Sequence, residues 1–181
     1  GEPQIFHCNH YNRVLQLIIE DCHYIAREAI LIRSAAEVSH RQLQGVFAEH
    51  PEWSVGECLQ YAETLYRYCG FGDLALHEAF AATDAPLRIR ERHSHYGAAL
   101  RLNYGKRRWP GEFFDLGFAE GALKAAFGQE HDGHIDNNPD HPPLSMGGEY
   151  TDFVLRPVET SVLAVLSSAA PPSLPNQEAV P

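Results

Sequence analysis

The sequence predicts an α+β fold: an antiparallel sheet of about four strands packed by helices, with a helical region ahead of it. Three observations carry this. Residues 9–49 keep helical apolar spacing, with no Gly or Pro between Gln4 and Leu43. Two stretches, Phe71–Phe80 and Leu87–Tyr96, alternate apolar and polar residues and are separated by a turn region, Ala81–Pro86. A helix over 110–127 is then followed by a strand over Glu149–Arg156. Helices, hairpin, helix and hairpin in that order place the helices on one side of an antiparallel sheet.

The elements follow from local chemistry. In the N-terminal region (about 1–70), Val14, Leu15, Ile18 and Ile19 form one apolar cluster. Ile25, Ala29, Ile32 and Ala36, with Leu43 and Phe47, form the stripe of a second helix, and a break falls near Asp21–Cys22. Ser54 and Glu57 make a capping box, in which the Ser oxygen accepts from a free N–H and the Glu reaches back. The helix they start carries Leu59, Ala62, Leu65, Tyr66 and Cys69, and stops at Gly70. The next two runs read as a hairpin. Leu87, Ile89, Glu91, His93 and His95 fall on one side of its second strand, and Arg88, Arg90 and Arg92 on the other.

Pro110 suits a first helical position and Gly128 a helix end. Between them, Gly117 and Gly121 share a face, and each costs about 1 kcal/mol against alanine. Close packing on a sheet or a ligand is the expected reason. Glu130–Pro143 is polar and reads as a strand and a loop. A turn around Gly147–Gly148 leads to the last strand. Ser161–Leu166 is a short apolar run, and 167–181 reads as a flexible Pro/Ala/Ser tail, leaving 1–166 as one domain.

The 181 residues suffice for one real core. A formal net charge of −10 argues against a nucleic-acid backbone as partner. No apolar run reaches the length of a membrane span, and no signal peptide is read at the start, so a cytoplasmic chain with reduced thiols is expected. The four cysteines, Cys8, Cys22, Cys58 and Cys69, contain no C-x-x-C pair.

The motifs Gly117-Phe118-Ala119-Glu120-Gly121 and Leu144-Ser145-Met146-Gly147-Gly148-Glu149-Tyr150-Thr151-Asp152-Phe153 resemble those of the 4-vinyl reductase domain family. This is a small-molecule-binding module that also occurs in phenol- and hydrocarbon-sensing bacterial regulators. It is related in fold to subunits of the eukaryotic transport protein particle. The family pattern is a Cys before a Gly-aromatic-x-x-Gly helix, then Glu-x-x-Cys, then Leu-x-Met-Gly-x-x-Tyr-Cys-x-Phe. The match runs over Phe71–Pro157. The resemblance implies a homodimer and, in the phenol sensors, a structural zinc held by three Cys and one acid. The equivalent positions here are Glu112, Asp140, Pro143 and Thr151. They contain no thiolate and cannot supply a tetrahedral N/S set, so loss of that zinc is expected.

Several constellations could carry chemistry. The β-strand face that turns from Leu87 and Ile89 to Glu91, His93 and His95 suits a pocket with apolar walls and a few polar groups. Phe114 and Phe118 on the 110–127 helix would line its other side. His93 and His95 could also hold a cation; the plainer reading is a solvated strand end. His7 and His10 share a helical face and could bind zinc, copper or iron with Cys8, Cys22 or His23, against an ordinary helix-capping role. The polar run with His131, Asp132, His134, Asp136, Asp140 and His141 suits a first-row metal or is simply solvated. Cys8, beside a His, is a candidate nucleophile. Cys58 and Cys69 read as small core residues.

The leading expectation is binding of a small apolar or aromatic molecule between the 110–127 helix and the 71–96 hairpin. One alternative is a metal-dependent enzyme of a specialised metabolic pathway using a His-rich centre with Fe, Cu or Zn, which would account for the eleven histidines. Another is a scaffold for a partner protein. The family name refers to reduction of a vinyl group, but no Gly-x-Gly-x-x-Gly fingerprint for a nicotinamide cofactor is present, so that activity is not expected.

Overall fold

The computed structural model describes residues 8–80 and 86–158. His7, the run Ser161–Leu166 and the tail 167–181 lie outside the described residues. The chain forms α1 (Asn9–Glu20), α2 (Arg27–Glu49), α3 (Val55–Tyr68), β1 (Gly72–Ala75), α4 (Leu76–Phe80) and β2 (Leu87–Ser94). It continues with α5 (His95–Tyr104), α6 (Phe113–Phe127), β3 (His131–Ile135), a 3-10 turn (Leu144–Met146) and β4 (Thr151–Pro157). The four strands make one sheet in the order β1-β2-β4-β3, with every neighbouring pair antiparallel. The α+β class and the strand number are therefore as the sequence predicts.

The core lies between one sheet face and the helices. Leu74, Ile89, Phe153 and Leu155 of the strands meet Leu59 and Ala62 of α3 and Leu116, Ala119 and Leu123 of α6. The other sheet face carries the outward row of β2. Arg88 pairs with Asp136, Arg90 with Asp152 and Arg92 with Glu78, at 2.8, 2.8 and 3.1 Å. The Ser54–Glu57 capping box forms as expected: the Glu57 amide donates to Ser54 Oγ, and the Ser54 amide donates to Glu57 Oε2.

Four local expectations are corrected. Leu76–Phe80 is a helix, not the second half of a strand. Asp73 faces His93 while Leu74 faces Glu91, so Arg92 is an extra residue in β2 and forms a bulge. The bulge reverses the side-chain alternation: Glu91 is buried, Arg92 and His93 are exposed, and Ser94 turns back inside. β2 then ends, because Ser94 caps α5 by accepting from the Gly97 amide. His95 and Tyr96 are thus helical. Finally, α6 starts at Phe113 with Glu112 as its N-cap, so Pro110 precedes the first turn.

The small face of α6 has a different cover from the one expected. A Cβ on Gly117 would strike the Ile32 carbonyl and Ala35 of α2. A Cβ on Gly121 would strike Ser39 Oγ and the Ala36 carbonyl. The two glycines let α2 lie against α6, backbone to backbone; they face neither the sheet nor a ligand.

Candidate functional site

Where β2, α3, α5 and α6 meet, polar groups are buried. Tyr66 of α3, Glu91 of β2 and Asp115 of α6 are each 0% exposed. The Tyr66 hydroxyl lies 2.8 Å from Glu91 Oε1 and 2.6 Å from Asp115 Oδ1. Ser94 Oγ donates to Asp115 Oδ2 at 2.7 Å. A phenol has one proton, so it can satisfy only one of two ionised carboxylates. One carboxyl must carry a proton, giving a chain from Glu91 through Tyr66 to Asp115. Burial pushes Asp115 up to about 7, with the Tyr66 and Ser94 hydrogen bonds opposing and the Glu112 charge adding. Burial, reinforced by the Asp115 charge, pushes Glu91 well above the carboxylate range. Two buried polar atoms here have no partner: Glu91 Oε2 and His95 Nε2. Such atoms are costly to leave unpaired, and a water or a ligand is what would satisfy them.

Rings enclose this cluster. Tyr66 lies 4.8 Å from Phe118 and 5.6 Å from Phe71, centroid to centroid. Phe71 and Tyr96 lie 4.7 and 4.9 Å from Phe114. His95 meets Phe71 edge-on at 6.5 Å and Tyr96 at 5.1 Å. Tyr66, Tyr96 and Phe118 are buried, whereas Phe71, His95 and Phe114 are half-buried, so the cluster reaches the surface along those three rings. Burial holds the His95 imidazole below its ordinary range, and therefore neutral at pH 7.

The expected residues divide as follows. Glu91, His95, Phe114 and Phe118 come together in this cluster. Ile89 is fully buried one step further down the strand, and Leu87 packs on the core beside Leu155. His93 is exposed on the bulge, away from Glu91. His10 is exposed, with Arg13 donating to its Nδ1 at 2.8 Å. Among the described residues no three His, Cys, Asp or Glu side chains gather in a way that could hold a metal. In β3 the alternation turns His131 inward and leaves Asp132 and His134 together on the exposed face. Cys58 is buried and Cys69 half-buried, and burial raises both thiols. Sequence reasoning missed Ser94 and Asp115, and placed Tyr66 among aromatics that are core or line a cavity, not as the hydroxyl between two acids. The available signal was Asp115 itself, one acid inside the apolar run Phe113-Phe114-Asp115-Leu116.

Glu112, Asp140, Pro143 and Thr151, the residues the resemblance sets against zinc ligands, offer no thiolate or imidazole and do not fit that metal. Glu112 is fully buried, but Ser145 N, Ser145 Oγ and Gly111 N donate to its carboxylate at 2.6, 2.9 and 2.9 Å. Thr151 Oγ1 accepts from Leu144 N at 3.0 Å. Asp140 is exposed. Hydrogen bonds to one carboxylate and one hydroxyl oxygen tie the 144–148 loop to α6 and β4.

Two open clefts lie elsewhere. One, of about 710 Å³, is walled by α1, α5 and Trp109, and its buried charges Arg107 and Glu20 are already paired at 2.6 Å. The other, of about 620 Å³, lies between α2, α6 and β3, and holds one partnerless atom, His40 Nδ1. Neither touches the aromatic–acid cluster.

No family model and no curated protein matches the chain. Solved structures do. The phenol-responsive sensory domain of the transcription activator PoxR, crystallised with phenol, aligns with a TM-score of 0.68 at 13% identity, covering 94% of this chain and 86% of that one. A vinyl-4-reductase family protein from Methanocaldococcus jannaschii aligns with a TM-score of 0.49 at 13% identity, covering 87% of this chain and all of that one. The chain shares its overall fold with the phenol-responsive domain. No helix among the described residues is long and apolar enough to cross a membrane.

The raised Asp115 makes stability depend on pH. Its folded value, about 7, exceeds the unfolded one of about 3.9, so between them the native state holds a proton that the unfolded chain lacks. That contribution is complete below the unfolded value and is lost as pH rises through 7. Asp115→Asn should remove it. From pH 5.5 to 8 the wild type should lose more stability than the variant, read by urea unfolding, a difference shared with Glu91 because the Asp115 charge also raises it. His40, His95 and His131, held neutral by burial, tilt stability the other way in both proteins and cancel in the difference.

Proposed function

We propose that this chain binds a small aromatic or apolar molecule at the cluster between α6 and the β1–β2 pair. The observation that carries this is the pair of partnerless buried atoms, Glu91 Oε2 and His95 Nε2, enclosed by aromatic rings. The likeness in fold to a phenol-responsive domain supports the same reading. The ligand enters along Phe71, His95 and Phe114 and displaces the half-buried rings. A homodimer belongs to this proposal. α1 turns Gln16 inward and leaves Tyr11, Leu15 and Ile18 exposed, an apolar stripe that a second copy would cover. The metal-dependent alternative has no support among the described residues.

Titration calorimetry of the full chain with phenol, 2-phenylethanol and 2-phenylethylamine tests this. At least one should bind saturably, and Phe114→Ala should weaken it by roughly tenfold or more, the cost of one lost aromatic wall. Absence of saturable binding by all three, or binding indifferent to Phe114→Ala, would overturn the proposal.

A further inference from the structure

We propose that the ligand of this site carries a cationic nitrogen: an aromatic molecule bearing an alkylammonium group, held by Glu91 and Asp115. The inference rests on the binding reading above and names the chemistry of what is bound.

The first support is the charge around the site. Glu91 and Asp115 are fully buried, and so is Glu112 nearby. The neighbouring charges that act most on Glu91 are those of the acids Asp115, Glu112 and Asp73, the last of these paired with Arg67 at 2.9 Å. Among the described residues no Lys, Arg or His lies within ion-pair distance of Glu91 or Asp115. The arginines of β2 are on the opposite sheet face, already paired with Asp136, Asp152 and Glu78. The groups facing the pair from each element are Tyr66 from α3, Asp73 from β1, Ser94 from β2, His95 and Tyr96 from α5, and Glu112 beside Asp115 on α6. None is a cation at neutral pH. Buried carboxyls without a counter-charge stay protonated or await a cation.

The second support is the proton count. Tyr66 has one proton for two carboxyls, and Ser94 donates only to Asp115. Glu91 Oε2 is left without a donor. A phenol would bring one donor and no charge. An ammonium brings three donors and the missing charge. Its N–H groups can meet the unpartnered Glu91 Oε2. The third support is the wall. Tyr66, whose hydroxyl meets both acids, is continuous with a cluster of rings formed by Phe71, Tyr96, Phe114 and Phe118, and π faces attract a desolvated cation.

The test compares isosteres. At pH 7.5, 2-phenylethylamine should bind the full chain at least tenfold more tightly than 2-phenylethanol, and titration in buffers of different ionisation enthalpy should show net proton release, as the ammonium displaces a carboxyl proton. Glu91→Gln should abolish the proton release and the amine preference, bringing the amine and alcohol affinities within about threefold of each other. Where that variant does not fold by circular dichroism, Asp115→Asn serves, with the same expectation. Equal affinities, or tighter binding of the alcohol or of phenol, would overturn the cation and leave the aromatic-binding site standing. Failure of all three compounds to bind would overturn both.

Discussion

Gly121→Val should destabilise the chain by more than about 3 kcal/mol, at or beyond the upper end for overpacking a core. The obstacle is main chain: the Ala36 carbonyl and the His40 amide of α2, together with Ser39 Oγ. A side chain can rotate away, but a helix backbone must translate, and α2 holds Leu43 and Ala35 in buried positions that would move with it. Domains of this size have about 5–15 kcal/mol of stability, so much of it would go. Urea unfolding by far-UV circular dichroism reads the loss directly. Gly45→Ala is the control, since a Cβ there meets nothing within 4 Å; it should be neutral or slightly stabilising, because alanine is the better helix former. Equal midpoints for Gly121→Val and the wild type would remove the claim that α2 and α6 are in backbone contact.

Glu112→Ala should cost on the order of 4 kcal/mol. The substitution leaves three buried donors without an acceptor: the Gly111 and Ser145 amides and the Ser145 hydroxyl. Water cannot readily reach them, because Ser145 and Glu112 are both 0% exposed. The loss should concentrate in one place. Amide hydrogen exchange at Ser145 should accelerate by far more than exchange in the middle of α3, because the 144–148 loop loses its anchor while the core is untouched. Glu112→Gln keeps one acceptor oxygen but sets an NH2 against a donor, and should fall between the two. Uniform acceleration across the chain would instead mean that Glu112 supports the whole fold.

Much of the fold was legible because its signals are local. The Ser54–Glu57 box acts within four residues, and Gly128 ends α6 at a positive φ of 69°, as a glycine after apolar periodicity implies. The pairing of β1 with β2 followed from two alternating runs. What the sequence obscured was of two kinds. Alternation cannot reveal a bulge, so one extra residue, Arg92, moved His93 out and Ser94 in. Periodicity identifies which face of a helix is special but not what covers it, so the Gly117–Gly121 face was read towards a sheet or ligand and turned out to meet α2. The site had the same difficulty. Glu91, His95, Phe114 and Phe118 were visible, but Tyr66 and Asp115 are 49 residues apart, and only the packing of α3 on α6 brings them within 2.6 Å.

Glu112 and Asp115 occupy one turn of one helix, about 4.5 Å of rise apart. The first clasps the 144–148 loop and the second closes the acid–tyrosine chain. Further along, the same rod is clamped to α2 by its two glycines. α6 is therefore a crossbar between two fittings, and it has no slack to absorb a displacement at either end. A shift of Asp115 by a fraction of an ångström is also a shift at Ser145, so the surface loop and the interior cluster move as one piece.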